Sequence, residues 1–255
     1  MRFEEKLSKI VKKNNSLLCV GLDIDKDKLS NQPLLEFNKK IIDETKDLVC
    51  AYKLNMAFYE TLGKEGYDLL EKTISYIPEE IIIILDGKRN DIGNTAKKYA
   101  ASLFETLKCD AVTINPYLGF DGIKPFLDYT DKCSFILCRT SNSSAKDFQD
   151  LKVEKPLYIH VAEKIKQWNT KNNAGAVVGA TYPDELREIR GIIGEDMVLL
   201  IPGIGAQGGD VEKTIKYGTN KKGENAIINS SRGIIYSKDP RESATLLRDE
   251  INKYR

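Results

Sequence analysis

Asp86, Lys88 and Asp91 fall within the six-residue segment Asp86-Gly87-Lys88-Arg89-Asn90-Asp91, directly after the apolar run IIIIL. A spacing of two on an extended strand puts the Asp86 and Lys88 side chains on one face. Asp91 follows past the strand end, before a helix that starts near Asn94. Charged groups at the end of a buried strand are costly unless they compensate one another. Lys53, at the end of the run LVCAYKLN, supplies the missing charge and makes the set Lys53, Asp86, Lys88 and Asp91 formally neutral. Carboxylates on either side favour the ammonium form of Lys88. Such a lysine is poorly suited to Schiff-base formation, which needs a free amine, and well suited to protonating a developing carbanion. A solvated ion pair at a strand end is the plainer alternative, and the apolar run before it argues against ordinary exposure.

A second cluster suggests anion binding. Gly203-Ile-Gly205-Ala-Gln-Gly208 satisfies GxGxxG between an apparent strand and a helix, which on its own suggests a dinucleotide fold. It stands at the seventh strand rather than the first, however. The strand after it, AIINSS, ends without the acidic residue that would hold a ribose. In a barrel, the loops after strands seven and eight commonly form a phosphate site. Gln207 and backbone amides of the first loop, with Arg232 of the second, would surround a phosphate dianion.

These residues need a scaffold, and the periodicity supplies one. Apolar, β-rich runs occupy 16–22, 48–55, 80–88, 109–115, 133–139, 174–180, 197–203 and 225–231. Helical patterns such as FNKKIIDETKDL, FYETLGKEGYDLLEKTI, TAKKYAASLFETL, PLYIHVAEKIKQW and YPDELREIRGII lie between them. IIIIL has no polar alternation and suits a strand covered on both faces. Eight strand–helix repeats in 255 residues predict an α/β fold, a (β/α)8 TIM barrel, with an open doubly wound sheet as the competitor. No linker or composition break divides residues 1–255, so a single domain with a short N-terminal helix is expected. Asp23, Lys53, Asp86, Lys88, Ser141, Gln207 and Arg232 all fall at or just beyond C-terminal strand ends, the face on which barrel enzymes build active sites.

Other chemistries are excluded or weak. Lys plus Arg number 39 against 38 Asp plus Glu, which gives no electrostatic reason to expect nucleic acid or a membrane surface as partner. Any anionic ligand must be held by a few placed cations. No run approaches the ~18 apolar residues of a membrane span, and the N-terminus has no apolar signal core. The scattered cysteines Cys19, Cys50, Cys109, Cys133 and Cys138 have no CxxC spacing and read as buried hydrophobes in a reducing, cytoplasmic compartment. Asp23, Asp25 and Asp27 mimic the start of a calcium loop, but Lys28 and Leu34 occupy its glycine and glutamate positions. His160 is the lone histidine and reads as a packed or surface residue, which rules out a multi-histidine metal site. Trp168 and the helical tyrosines read as packing.

The ordered set of segments narrows this further. LDGKRNDIGNTAKKYA (85–100) resembles the DxKxxDI signature of the orotidine 5'-monophosphate decarboxylases. GLD (21–23), YKLN (52–55), RTSN (139–142), PGIGAQGGD (202–210) and NSSRGIIY (229–236) resemble the family's other segments in the expected order, in the pattern of its type 2 subgroup. DxKxxD alone also resembles the hexulose-phosphate synthases and keto-gulonate-phosphate decarboxylases, which are magnesium-dependent. A non-catalytic barrel that binds a nucleotide phosphate is the remaining alternative. The resemblance implies decarboxylation of orotidine 5'-monophosphate without metal or cofactor, with Lys53, Asp86, Lys88 and Asp91 as the charged tetrad. Lys88 would protonate C6 as carbon dioxide leaves, and Asp86 would lie near the substrate carboxylate and hold Lys88 in line. Asp23 and Lys53 would hold ribose hydroxyls, Ser141 the pyrimidine amide, and Pro202 would lie near the base. It also implies a homodimer in which Asp91, Ile92 and Thr95 complete the neighbouring subunit's site. The polar stretch 139–151 is a candidate lid, with Ser143-Ser144 where the subgroup often has Pro or Gly.

Overall fold

The apolar runs lack polar alternation because each becomes a strand covered on both faces. A computed structural model describes every residue except 30, 31 and 205–207. The strands are β1 (Leu18–Gly21), β2 (Ala51–Asn55), β3 (Ile82–Arg89), β4 (Ala111–Ile114), β5 (Cys133–Arg139), β6 (Ala174–Val178), β7 (Leu199–Pro202) and β8 (Ala226–Ser230). They pair in parallel, each with its sequence neighbour, and β8 closes on β1 through Leu18↔Ile228 to Val20↔Ser230. All eight predicted runs are strands of this closed barrel, so the open doubly wound alternative is ruled out.

The N-terminal helix Phe3–Asn14 buries Phe3, Leu7, Ile10 and Val11 on one stripe, with Glu4 and Glu5 in its first turn and Lys12 and Lys13 in its last, matching its dipole. Leu7 and Val11 sit beside Leu17, Val198 and Ala226, at the strand beginnings. Phe3 meets the ring of Phe135 edge-on at 5.9 Å. This helix therefore stops the end of the barrel opposite the candidate site. The run 58–74, expected as one helix, is two: Met56–Glu60 and Lys64–Tyr76. The break is at Gly63, whose φ of +61° suits glycine. The two pieces cross so closely that a Cβ on Gly66 would lie 1.8 Å from the Tyr59 carbonyl oxygen. The helix expected over 95–107 is α-helical from Gly93 to Ala101 and π-helical over Ser102–Thr106. The remaining helices of the eight repeats include Phe120–Leu127, Val211–Gly218, which follows the GxGxxG segment as expected, and Pro240–Lys253.

Arg190, on the helix Pro183–Ile193, ties three elements together at the strand-entry end. Its guanidinium donates to the carbonyls of Gly194, Met197, Gly218 and Asn225, just ahead of β7 and β8 and at the end of the helix Val211–Gly218. Burial pulls its pKa down to about 10, against a small upward pull from Glu195. Replacing it with leucine strands several buried carbonyls. Arg190→Leu is expected to lower the unfolding free energy by about 3 kcal/mol or more. Denaturant unfolding checks this, and a change near zero would show that these bonds contribute nothing net.

Candidate active site

The site begins at an irregularity in β3. Leu85 pairs with Val112 and Arg89 with Ile114, so residues 86–88 face Thr113 alone and the strand bulges. Lys88 sits at φ +45°, a conformation that costs a non-glycine residue on the order of 1–3 kcal/mol. The sequence reading expected Asp86 and Lys88 to share a face of a flat strand. They do meet, with Lys88 Nζ 2.7 Å from Asp86 Oδ1, but across this bulge.

From Lys88 the charges alternate inward. Asp86 is 9% exposed and Lys53 4% exposed. Lys53 Nζ lies 3.2 Å from Asp86 Oδ2 and 3.3 Å from Asp23 Oδ1. Burial alone would raise the Asp86 pKa, but Lys53, Lys88 and the Thr113 hydroxyl together hold it well below the usual carboxylate range. Burial alone would depress Lys53, and Asp23 with Asp86 reverses that and holds it above its ordinary value. Within one chain the neutral set is therefore Asp23, Lys53, Asp86 and Lys88, with Asp23 where the sequence reading counted Asp91.

Asp23 is itself fastened on both sides. Ser231 Oγ donates to its Oδ2 at 2.8 Å, and Tyr236 donates to its carbonyl while accepting the Asp25 amide at 2.7 Å. Gly21 makes room for this contact, since a Cβ there would lie 1.9 Å from Ser231 Oγ. Asp25 and Asp27 belong to a local turn, in which the Asp25 carboxylate accepts the Asp27 amide.

Above these charges is a cavity of about 570 Å³, with Leu137, Val177 and Leu200 among its apolar walls. Asp23, Lys53, Asp86, Lys88, Ser141, Pro202 and Arg232 all line it. Gln207 lies outside the described residues. Arg232 starts the short helix Arg232–Ile235 after β8, with Gly203 across the mouth. Beyond β5, Thr140 and Gln149 bond each other twice, amide to Oε1 at 2.9 Å and Nε2 to Oγ1 at 2.7 Å, and form a wall that includes Asn142 and Phe148. Buried Arg139 anchors that wall, stacked 4.0 Å from the Tyr182 ring centre and paired with Asp150 at 3.0 Å. This is the segment marked as a candidate lid.

Asp91, Ile92 and Thr95 do not line the cavity. They sit at the start of the helix Gly93–Ala101, where Ile92 is 57% exposed and the Asp91 carboxylate accepts only its neighbour's amide among the described residues. The sequence reading missed Asn55, Thr113, Thr140, Gln149 and Asn229, all on the cavity. Thr113 is a polar residue inside the otherwise apolar strand AVTI, and its type is the one signal the sequence offers for it, whereas Asn229 stands beside Ser230 at the end of β8. His160 bonds the Val153 carbonyl, and all five cysteines are buried and unpaired.

A profile described as "Orotidine 5'-phosphate decarboxylase / HUMPS family" matches residues 16–247. An orotidine 5'-phosphate decarboxylase of Dehalococcoides mccartyi is 50% identical, the match covering all of this chain and 99% of the relative. One of Ralstonia pickettii is 45% identical over the whole of both chains. Among solved structures, the Leishmania donovani OMP decarboxylase superposes with a TM-score of 0.91 at 39% identity, covering all of this chain and 98% of that one.

The buried charges set a pH signature. Asp86, held below its ordinary 3.8, contributes stability that is present above that value and is lost as pH falls through the folded value. Lys53, held above its ordinary 10.5, contributes stability that is present below that value and is lost as pH rises through the folded value. Lys53→Met leaves burial less opposed at Asp86, so its folded pKa rises and stability should fall with rising pH between about pH 4 and 8. Thermal unfolding across that range checks this. A loss independent of pH would mean that Lys53 does not set the protonation of Asp86.

Proposed function

The chain belongs to the orotidine 5'-phosphate decarboxylase / HUMPS family, and we propose how its barrel mouth works as a carboxy-lyase, converting orotidine 5'-monophosphate to uridine 5'-monophosphate in pyrimidine biosynthesis. The observation that carries the assignment of roles is the line of alternating charges Asp23–Lys53–Asp86–Lys88 along one side of the cavity. The bond from C6 to the carboxylate breaks, carbon dioxide leaves, and the electron pair left on C6 takes a proton from the Lys88 ammonium. Lys88 then recovers a proton from water. Lys88 suits the donor role because its side chain is 49% exposed and lines the cavity, whereas Lys53 is buried between two carboxylates. Asp86 holds Lys88 in line and lies beside the substrate carboxylate.

Asp23 and Lys53 hold ribose hydroxyls, Ser141 the pyrimidine amide, and Pro202 packs near the base. Arg232, with Gln207, takes the phosphate. A carbanion at C6 has no obvious electron sink, so the protein must supply barrier reduction on the order of 20 kcal/mol. Binding energy from the remote phosphate can be spent on closing the 139–151 wall and excluding water.

Asp91, Ile92 and Thr95 act in the site of a second copy, giving a homodimer with shared sites. Ile92 is exposed, as are Tyr117, Leu118 and Phe120 after β4, and the Asp91 carbonyl and Leu118 both approach Gly122. Such a cluster of exposed apolar side chains suits an interface. Unpaired, buried cysteines fit a reducing compartment and support a cytoplasmic location. No helix among the described residues is long and apolar enough to cross a membrane.

Magnesium-assisted chemistry on a sugar phosphate fits less well, because the Lys53 ammonium already occupies the space between Asp23 and Asp86. A pure nucleotide binder would gain nothing from four alternating charges in mutual contact along one wall.

Purified protein with a chelator present should remove the absorbance of orotidine monophosphate, and Lys88→Ala should abolish turnover while still binding uridine monophosphate. No absorbance loss, or loss that the chelator stops, would overturn this reading. Mixing a Lys88→Ala dimer with an Asp91→Ala dimer should restore part of the activity, since some hybrid dimers carry one intact site. No recovery despite demonstrated subunit exchange would rule out shared sites.

A further inference from the structure

Thr113 lies in β4 at 1% exposure, and its single hydroxyl serves two partners on β3. It donates to Asp86 Oδ1 at 2.7 Å and accepts the backbone N–H of Lys88 at 3.0 Å. These contacts fall where the β3–β4 ladder is interrupted. In a regular parallel pair the Lys88 amide would meet a backbone carbonyl, and here a side-chain oxygen takes its place. The left-handed φ of Lys88 needs surroundings that impose it, and this bond closes directly on that residue. Packing does not require the hydroxyl, since valine fills the same space and is at home in a buried strand.

We infer that Thr113 is a positioning residue for the proton-transfer pair. Its hydroxyl fixes the rotation of the Asp86 carboxylate, so that Oδ1 meets Lys88 Nζ while Oδ2 meets Lys53. The same oxygen pins the turn that aims Lys88 into the cavity. Without it the carboxylate is free to rotate and the Lys88 amide loses its partner. The phosphate contacts proposed above lie on β7 and β8, and on the ribose side Lys53 keeps its direct bond to Asp23, which Thr113 does not touch. This inference rests on the decarboxylase reading.

Thr113→Val and Thr113→Ser are compared with the unmodified protein for kcat, KM and uridine monophosphate affinity. The valine variant should lose roughly 10- to 100-fold in kcat, as expected for one lost hydrogen bond to a charged group. Its KM and product affinity should stay within about threefold of the unmodified values, because only the transition state uses the aligned pair. The serine variant keeps the hydroxyl and should recover most of the rate. Should the valine variant not fold, Thr113→Ala carries the same comparison. Near-normal kcat without the hydroxyl, a loss that serine does not recover, or an equal loss of product binding would each overturn the inference. If the unmodified protein fails to turn over orotidine monophosphate, the decarboxylase reading falls, and that is seen before any variant is made.

Discussion

Stripping water from an ammonium costs several kcal/mol, and Lys53 is tolerable in the barrel only because Asp23 and Asp86 both reach it. That arrangement dictates much of what surrounds it. Asp86 must spend one oxygen on Lys53, which leaves the other for Lys88 and Thr113. Asp23 must hold its position on a loop beyond β1, so Ser231 and Tyr236 fasten it from the far side of the barrel seam. The cavity's polar side is thus one connected network running from β8 through β1 and β2 to β3 and β4. A substrate entering it meets dipoles and charges already oriented, the condition under which electrostatic stabilisation is most effective.

The opposite side is built on another principle. There the wall 140–149 carries its own internal hydrogen bonds and joins the barrel through buried Arg139, stacked on Tyr182. One side of the cavity is fixed by charge, and the other by Arg139 together with the Gln149 carbonyl, which accepts the Tyr158 amide of the following helix. The hydrogen bonds of the wall do not run through the charged network on the other side.

The barrel was legible because parallel strands covered on both faces leave runs such as IIIIL, which nothing else in a polar chain explains. The charged residues were legible because they stand out at the ends of those runs. Thr113 was less so: its polar type stands out in AVTI, but a single polar residue inside a strand has no spacing that distinguishes a functional hydroxyl from a tolerated one. The bulge at Lys88 was hidden as well: strand alternation assumes a regular ladder, and only the pairing of Arg89 with Ile114 reveals the extra residues. Asp91 was recognisable by type, yet its distance from the cavity depends on the path of the chain after β3, which periodicity does not encode. The break at Gly63 had a visible signal in the glycine itself, overridden by an apolar pattern that continued on both sides of it.

Gly21 and Ser231 carry a historical consequence. A methyl group at position 21 would occupy the place of the Ser231 hydroxyl, so these sites, distant in sequence, cannot diverge independently. Loss of that hydroxyl alone would not free position 21, because the same methyl group would still lie 2.9 Å from the Ser231 Cβ. The close approach of the two segments, and not the hydroxyl alone, is what keeps position 21 a glycine at this seam of the barrel.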